Sequence, residues 1–89
     1  MPTTPLSDLD PRWISADTRR GVGLSFRCPH CAGRVFVFFE NPIDGGAPLP
    51  GMNAWAREGA SFETVTLSPS VDLKGHWHGW VKGGEVSSA

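Results

Sequence analysis

Two pairs of potential metal ligands constrain the fold of this chain more than any other sequence feature. Cys28 and Cys31 form a Cys-x-x-Cys turn, and His76 and His78 form a His-x-His pair far along the chain. Thiolate sulfur and imidazole nitrogen are zinc ligands, and a structural zinc site is a tetrahedron filled by protein. Residues i and i+2 of a strand share a face, so both imidazoles should point the same way. We therefore predict one structural Zn²⁺ held by Cys28, Cys31, His76 and His78.

The length of the chain is a reason to expect such a metal. Eighty-nine residues suffice for one domain, and a domain of this size buries only about 60–65% of its unfolded surface. The 11 glycines and 8 prolines further indicate many turns around a small core. A metal then supplies folding free energy that the core lacks.

Segments that alternate apolar with polar residues, and one rich in β-branched and aromatic residues, predict a mostly β fold: a small zinc-stapled antiparallel sheet with hairpins and little helix. The first two expected strands flank the cysteine turn, which places both thiols at the tip of a hairpin. The second of them is apolar on both faces, as in a central strand. Residues 53–59 are expected to form a short helical turn with Trp55 inward. The expected strands are 23–27, 34–40, 62–67, 71–73 and 76–81.

We expect the chain to divide into an N-terminal arm, residues 1–20, and a single zinc-binding β domain, residues 21–89. The arm holds three prolines and few apolar residues, so it should be extended or loosely packed. A small sheet cannot bury every aromatic ring, and the remainder form candidates for contact with a partner. The candidates are Trp13, Trp55 and Trp80.

The charge and the distribution of apolar residues argue against nucleic-acid-binding, membrane-spanning and secreted proteins. The formal net charge is −1 and neither sign forms a run, so the positive field of most nucleic-acid binders is missing. The longest apolar run, Val35 to Phe39, is too short to span a membrane, and the first residues do not resemble a secretory signal. From these features we expect an intracellular protein.

Enzyme chemistry is disfavoured by the same motifs, and we predict no catalytic residue. Cys28-Pro-His-Cys31 also occurs in oxidising thioredoxin-like proteins, but that chemistry needs a helix after the first cysteine, and strand-forming residues follow here. The zinc deaminase signature is missing. A zinc-dependent hydrolase with Glu40, Glu63 or Asp72 as base stays an alternative. Ser68-Pro-Ser70 is interpreted most simply as a turn. The alternative is that its hydroxyls cap the metal site or contact a partner.

A resemblance adds to this interpretation. The run Thr66-Leu-Ser-Pro-Ser-Val71, the run Gly75-His-Trp-His-Gly-Trp-Val81 and Gly84-Glu-Val86 resemble a family of small uncharacterised phage and prophage proteins. The resemblance covers residues 23–86 and implies a phage or prophage origin and a metal-binding β fold, without a catalytic residue. Such an origin places the protein in the host-cell cytoplasm or in association with a virion. Many relatives carry a cysteine where one late histidine stands here, which implies a ligand position.

Together these features predict a small phage-type accessory protein that acts by binding another protein, viral or host, or by self-association. A zinc-dependent hydrolase and a nucleic-acid-binding regulator are the alternatives. The regulator requires Arg12, Arg19, Arg20, Arg27 and Arg34 to gather on one face.

Overall fold

A computed structural model describes residues 3–29, 31, 33–73 and 76–89. The predicted mostly β class is confirmed, because the described residues form nine strands and one short 3-10 helix. In chain order the elements are β1 Thr4–Pro5, the 3-10 helix Leu6–Leu9, β2 Arg12–Ala16, β3 Arg19–Arg27, β4 Arg34–Phe39, β5 Ala54–Glu58, β6 Thr66–Ser68, β7 Val71–Leu73, β8 Trp77–Lys82 and β9 Glu85–Ser88.

The strands form two sheets where one was expected. The first sheet has the order β2-β3-β4-β5-β6, and the second has the order β1-β9-β8-β7. All neighbouring strands are antiparallel except β4 and β5, which run parallel. β4 is the middle strand of the first sheet, in agreement with its two apolar faces. The predicted hairpin is also present, since β3 and β4 pair on either side of the cysteine turn.

One apolar core joins the two sheets. Phe26 of the first sheet meets Trp77 of the second edge to face, with ring centroids 5.7 Å apart. Aromatic pairs of this geometry stabilise a core beyond the area that they bury. The largest fully buried side chains come from both sheets, the 3-10 helix and the residue that precedes β6: Phe26, Phe39, Leu6, Leu24, Leu67, Val22, Val35, Val37, Val65, Val71 and Val81.

The segment predicted to be an arm is built into both sheets over its described residues. β1 pairs with β9 of the second sheet, and β2 pairs with β3 of the first. Leu6 and Leu9 are buried in the core between these strands. Trp13 stacks on Phe62 with ring centroids 4.5 Å apart. The few apolar residues of this segment are therefore sufficient to fix it, because backbone pairing supplies the rest.

Two local expectations were wrong. The helical turn expected at residues 53–59 is strand β5, which pairs in parallel with β4 through Phe39 and Trp55; its inward Trp55 is as expected. The strand expected from Phe62 begins only at Thr66. Ser61 instead closes a turn, accepting the backbone N–H of Val65 at 3.0 Å and hydrogen-bonding Thr64 through its hydroxyl at 2.8 Å. Such local hydroxyl bonds compete with strand pairing.

The chain changes sheets at Ser68-Pro69-Ser70. β6 ends at Ser68 in the first sheet, the Ser68–Pro69 peptide is cis, and β7 begins at Val71 in the second. β7 then pairs with β8, so that Asp72 lies opposite His78. This crossing brings Ser70 to the start of the strand pair that carries the late histidine. Among the described residues, no helix is long and apolar enough to cross a membrane.

Candidate functional site

A serine and a histidine come together on the outer face of the second sheet. The Oγ atom of Ser70 lies 3.3 Å from Nε2 of His78. Alternation along β7 and β8 directs Val71, Trp77 and Val81 into the core, so Asp72 and His78 face outward. We call Ser70 and His78 the Ser–His pair. A hydroxyl within hydrogen-bond reach of an imidazole is the arrangement in which a weak nucleophile is activated by a base.

The backbone of Ser70 is fixed from the first sheet. The indole N–H of Trp55 on β5 donates to the carbonyl oxygen of Ser70 at 3.1 Å. Trp55 is only 8% exposed and belongs to the core, so it does not provide the exposed surface for which it was a candidate. A buried hydrogen bond of this kind orients the chain at the point where it changes sheets.

His78 is held by its own strand and its neighbours. Its carbonyl oxygen accepts the N–H of Ala89 at 2.9 Å, and its ring lies 5.8 Å from the half-buried ring of Trp80. Asp72 stands opposite on the same face, although no hydrogen bond joins it to His78 in the described part of the chain. The outer face therefore presents the imidazole beside one carboxylate and one aromatic ring.

Three of the four predicted metal ligands also converge. The ligand atoms of Cys28, Cys31 and His76 all lie within 4.8 Å of one another, with Cys31 Sγ 3.4 Å from Nε2 of His76. The N–H of Gly33 donates to Cys31 Sγ at 3.3 Å, and the carbonyl of Gly33 closes the turn on the N–H of Cys28 at 2.9 Å. We call these three residues the Cys/His cluster. They are close enough to hold one metal ion.

His78 is not a member of this cluster. The expectation that His76 and His78 point the same way assumed that both lie in one strand, but β8 begins at Trp77 and His76 lies in the preceding turn. Strand alternation therefore does not fix the direction of His76. His30, inside the cysteine turn, is a third histidine for which the sequence predicts a solvent-facing side chain or, alternatively, replacement of a weak metal ligand; it lies outside the described residues.

A separate cleft of about 780 Å³ lies along the β2–β3 hairpin. Its lining includes Trp13, Arg19 and Asp44, and no residue of the Ser–His pair or the Cys/His cluster. Arg19 donates to both carboxylate oxygens of Asp44, at 2.9 and 2.8 Å. This bond, helped by the N–H of Gly46, lowers the pKa of Asp44 to about 2, and the same bond raises the pKa of Arg19. The pair ties the loop after β4 to the hairpin.

The fold and the site thus define a small two-sheet β protein with a potential nucleophile–base pair and a potential metal cluster. Residues 3–89 match the family model described as "Bacterial ubiquitination-like system serine protease (BubE)". Because the match covers almost the whole chain, the protein belongs to the BubE family. No curated protein and no solved structure gives a significant match.

The family membership corrects the functional prediction. The chain belongs to a family described as serine proteases of a bacterial system, so the expectation of a non-enzymatic phage-type accessory protein was wrong. The resemblance to small uncharacterised phage proteins correctly indicated membership of a small family. The family that matches is described as bacterial, and the match does not indicate a phage origin. Protein partners were expected, and a ubiquitination-like system implies them because it acts between proteins.

Sequence reasoning missed Ser70, which it treated as part of a turn. A signal was available, because residues 71–73 and 76–81 were both expected to be strands joined by a short turn. Pairing them antiparallel brings Ser70 toward the outward face that carries His78, since diagonal neighbours on one face are within reach of long side chains. The register of that pair, Asp72 opposite His78, was the missing information.

Proposed function

We propose that this protein is a serine protease in which Ser70 is the nucleophile and His78 is the general base. The observation that carries the proposal is the 3.3 Å contact between Ser70 Oγ and His78 Nε2, in a chain whose family is described as serine proteases. The contact is slightly longer than the roughly 2.6–3.2 Å across which a general base takes a proton, as is common for catalytic hydrogen bonds before substrate binds. Its position on an outward face, with His78 exposed, leaves room for a substrate.

The reaction follows from the chemistry of the two groups. His78 takes the proton of the Ser70 hydroxyl as Oγ attacks the carbonyl carbon of the scissile bond. The resulting tetrahedral intermediate collapses, the C–N bond breaks, and His78 gives the proton to the departing amine. Water then attacks the Ser70 ester, His78 again moves the proton, and the carboxylic acid leaves with the free hydroxyl restored.

The family name favours a substrate made of protein. A ubiquitination-like system joins a ubiquitin-like protein to other molecules, so a protease of that system would cut a bond within such a protein or in a conjugate that contains it. We infer that the substrate is a polypeptide segment next to the site of conjugation. The partner-binding role predicted for Trp80 fits this inference, because its ring lies beside His78.

We further propose that the Cys/His cluster binds Zn²⁺ in a structural role. Two thiols and one imidazole are donors that zinc favours, but they are one fewer than a closed structural site has, so water or a further side chain would complete the tetrahedron. The N–H of Gly33 donates to Cys31 Sγ, which stabilises a thiolate. The ion would connect the β3–β4 hairpin to the start of β8. In this scheme the metal fixes the strand that carries His78, and the Ser–His pair performs the reaction.

The proposal is tested by labelling and by cleavage. A fluorophosphonate probe, which modifies activated serines, should label the wild-type protein at Ser70, as located by mass spectrometry, and should not label Ser70→Ala or His78→Gln. The matched control is Ser68→Ala, which removes the exposed hydroxyl two residues away and should keep the label. Cleavage of a fusion of the system's ubiquitin-like protein to a reporter should fall at least about 1000-fold in Ser70→Ala. Unchanged cleavage by that variant would exclude Ser70 as the nucleophile.

A further inference from the structure

β7 is an edge strand that directly follows the proposed nucleophile. It pairs with β8 on one side and has no strand partner on the other side within the described residues. An edge strand presents backbone N–H and C=O groups that can pair with another chain. The open edge of β7 therefore begins one residue after Ser70.

The register shows which residue of β7 has its backbone groups on that edge. His78 accepts the N–H of Ala89 through its carbonyl, so the backbone groups of His78 face β9. In antiparallel pairs the hydrogen-bonded and non-hydrogen-bonded positions alternate. Asp72, which lies opposite His78, therefore occupies a non-hydrogen-bonded position of the β7–β8 pair. Its N–H and C=O point away from β8, toward the open edge.

The neighbouring backbone groups are already in use. Val71 and Leu73 pair with Gly79 and Trp77 of β8, and alternation directs their groups toward that strand. The carbonyl of Ser70 accepts the indole N–H of Trp55. Asp72 is thus the one residue from 70 to 73 whose N–H and C=O both remain available at the edge, and its side chain is exposed.

We propose that an extended segment of the polypeptide substrate adds to β7 as an antiparallel strand, with one substrate residue hydrogen-bonded to both backbone groups of Asp72. This inference rests on the proposed protease function. Ser70 lies two residues before Asp72, and two residues of strand span about 6.6 Å. The carbonyl of the substrate residue that lies two positions after the one paired with Asp72 therefore reaches Ser70. The antiparallel direction places the substrate residues on the amino side of the scissile bond along β7. Main-chain pairing of this kind selects extended chains of varied sequence.

Direct binding tests the inference without depending on cleavage. The protein is Ser70→Ala, and the probe is a fluorescein-labelled peptide that contains the carboxyl-terminal segment of the system's ubiquitin-like protein, measured by fluorescence anisotropy. Asp72→Pro removes the N–H on the open edge, a position where an edge strand tolerates proline. Asp72→Ala is the matched control, because it removes the carboxylate and keeps the N–H.

We expect Asp72→Pro to raise the Kd about fivefold relative to Asp72→Ala, within the roughly 2- to 12-fold range expected for one lost hydrogen bond. Equal Kd values for the two folded variants would overturn the inference. If Asp72→Pro does not fold, peptides N-methylated at single positions are bound to Ser70→Ala alone. N-methylation at one position on the amino side of the scissile bond should then raise the Kd, while N-methylation at either adjacent position should not. Equal Kd values for all the methylated peptides would overturn the inference.

The experiment separates this inference from the proposed function. If Ser70 is not the nucleophile, Ser70→Ala still cleaves the fusion protein. If edge pairing is wrong but the function is right, wild-type protein cleaves, and the proline and alanine variants bind the peptide equally.

Discussion

Replacing Trp55 with phenylalanine tests whether the indole of Trp55 positions the nucleophile. The substitution keeps an aromatic ring in the core but removes the 3.1 Å hydrogen bond to the carbonyl of Ser70. The lost hydrogen bond costs about 1 kcal/mol of stability. The smaller ring leaves roughly 40 Å³ unfilled, which costs about 1 kcal/mol more at about 24 cal/mol per Å³. A total of about 2 kcal/mol corresponds to a decrease of roughly 10 °C in Tm for a domain of this size.

The effect on catalysis should be separate from the effect on stability. Without the indole bond, the Ser70 backbone is free to shift relative to His78, and small misplacements of reacting groups have large effects on rate. We expect kcat to fall about tenfold, equivalent to about 1.4 kcal/mol of activation free energy, while KM changes little. The assay is cleavage of the fusion protein at a temperature well below the Tm of every variant.

Trp77→Phe is the control for stability. Trp77 is also buried, at 4% exposure, and its indole N–H donates to Ser88 Oγ at 2.9 Å, so this variant loses a similar bond and a similar volume. Its Tm should fall by a comparable amount while its kcat stays within about twofold of the wild type. Equal losses of kcat in the two variants, or an unchanged kcat in Trp55→Phe, would refute the positioning role.

Two further predictions concern the metal and the ion pair outside the Ser–His pair. Purified protein should contain about one zinc per chain by elemental analysis, and Cys28→Ser or treatment with a chelator should release it and lower the Tm; an unchanged Tm in the metal-free protein would contradict a structural role. Because the pKa of Asp44 is lowered from 3.8 to about 2, its pairing with Arg19 stabilises the fold above pH 3.8 and is lost as the pH falls toward 2. The difference between the urea midpoints of wild type and Asp44→Asn should therefore be full at pH 6 and only a small remnant at pH 2, and a difference as large at pH 2 as at pH 6 would show another cause.

The sequence predicted the local features of the fold better than its sheet arrangement. The β3–β4 hairpin follows from an alternating segment before the cysteine turn and an apolar, strand-forming segment after it, and the two strands are close in the chain. The parallel pairing of β4 with β5 joins strands separated by the loop of residues 40–53. Nothing in the composition of that loop specifies which strand follows it into the sheet, so the division into two sheets could not be predicted.

The same distinction applies to the site. The meeting of Cys28 and Cys31 with His76 was predictable because these residue types share an affinity for one kind of ion. The contact of Ser70 with His78 depends instead on the register of β7 against β8 and on the crossing between sheets. Serine is common in turns, so its presence before a short strand carries little information without that register.

Three consecutive residues, the last of a turn and the first two of β8, meet three different surroundings: His76 the Cys/His cluster, Trp77 the core and His78 the Ser70 hydroxyl. A strand that slips by one residue turns every side chain to the opposite face. Inserting or deleting a single amino acid in this tripeptide would therefore bury an imidazole and expose an indole at once, with damage to folding and to hydrolysis alike. Homologous chains should accordingly accept changes of length around Gly51, in the exposed part of the loop between β4 and β5, far more readily than between His76 and His78.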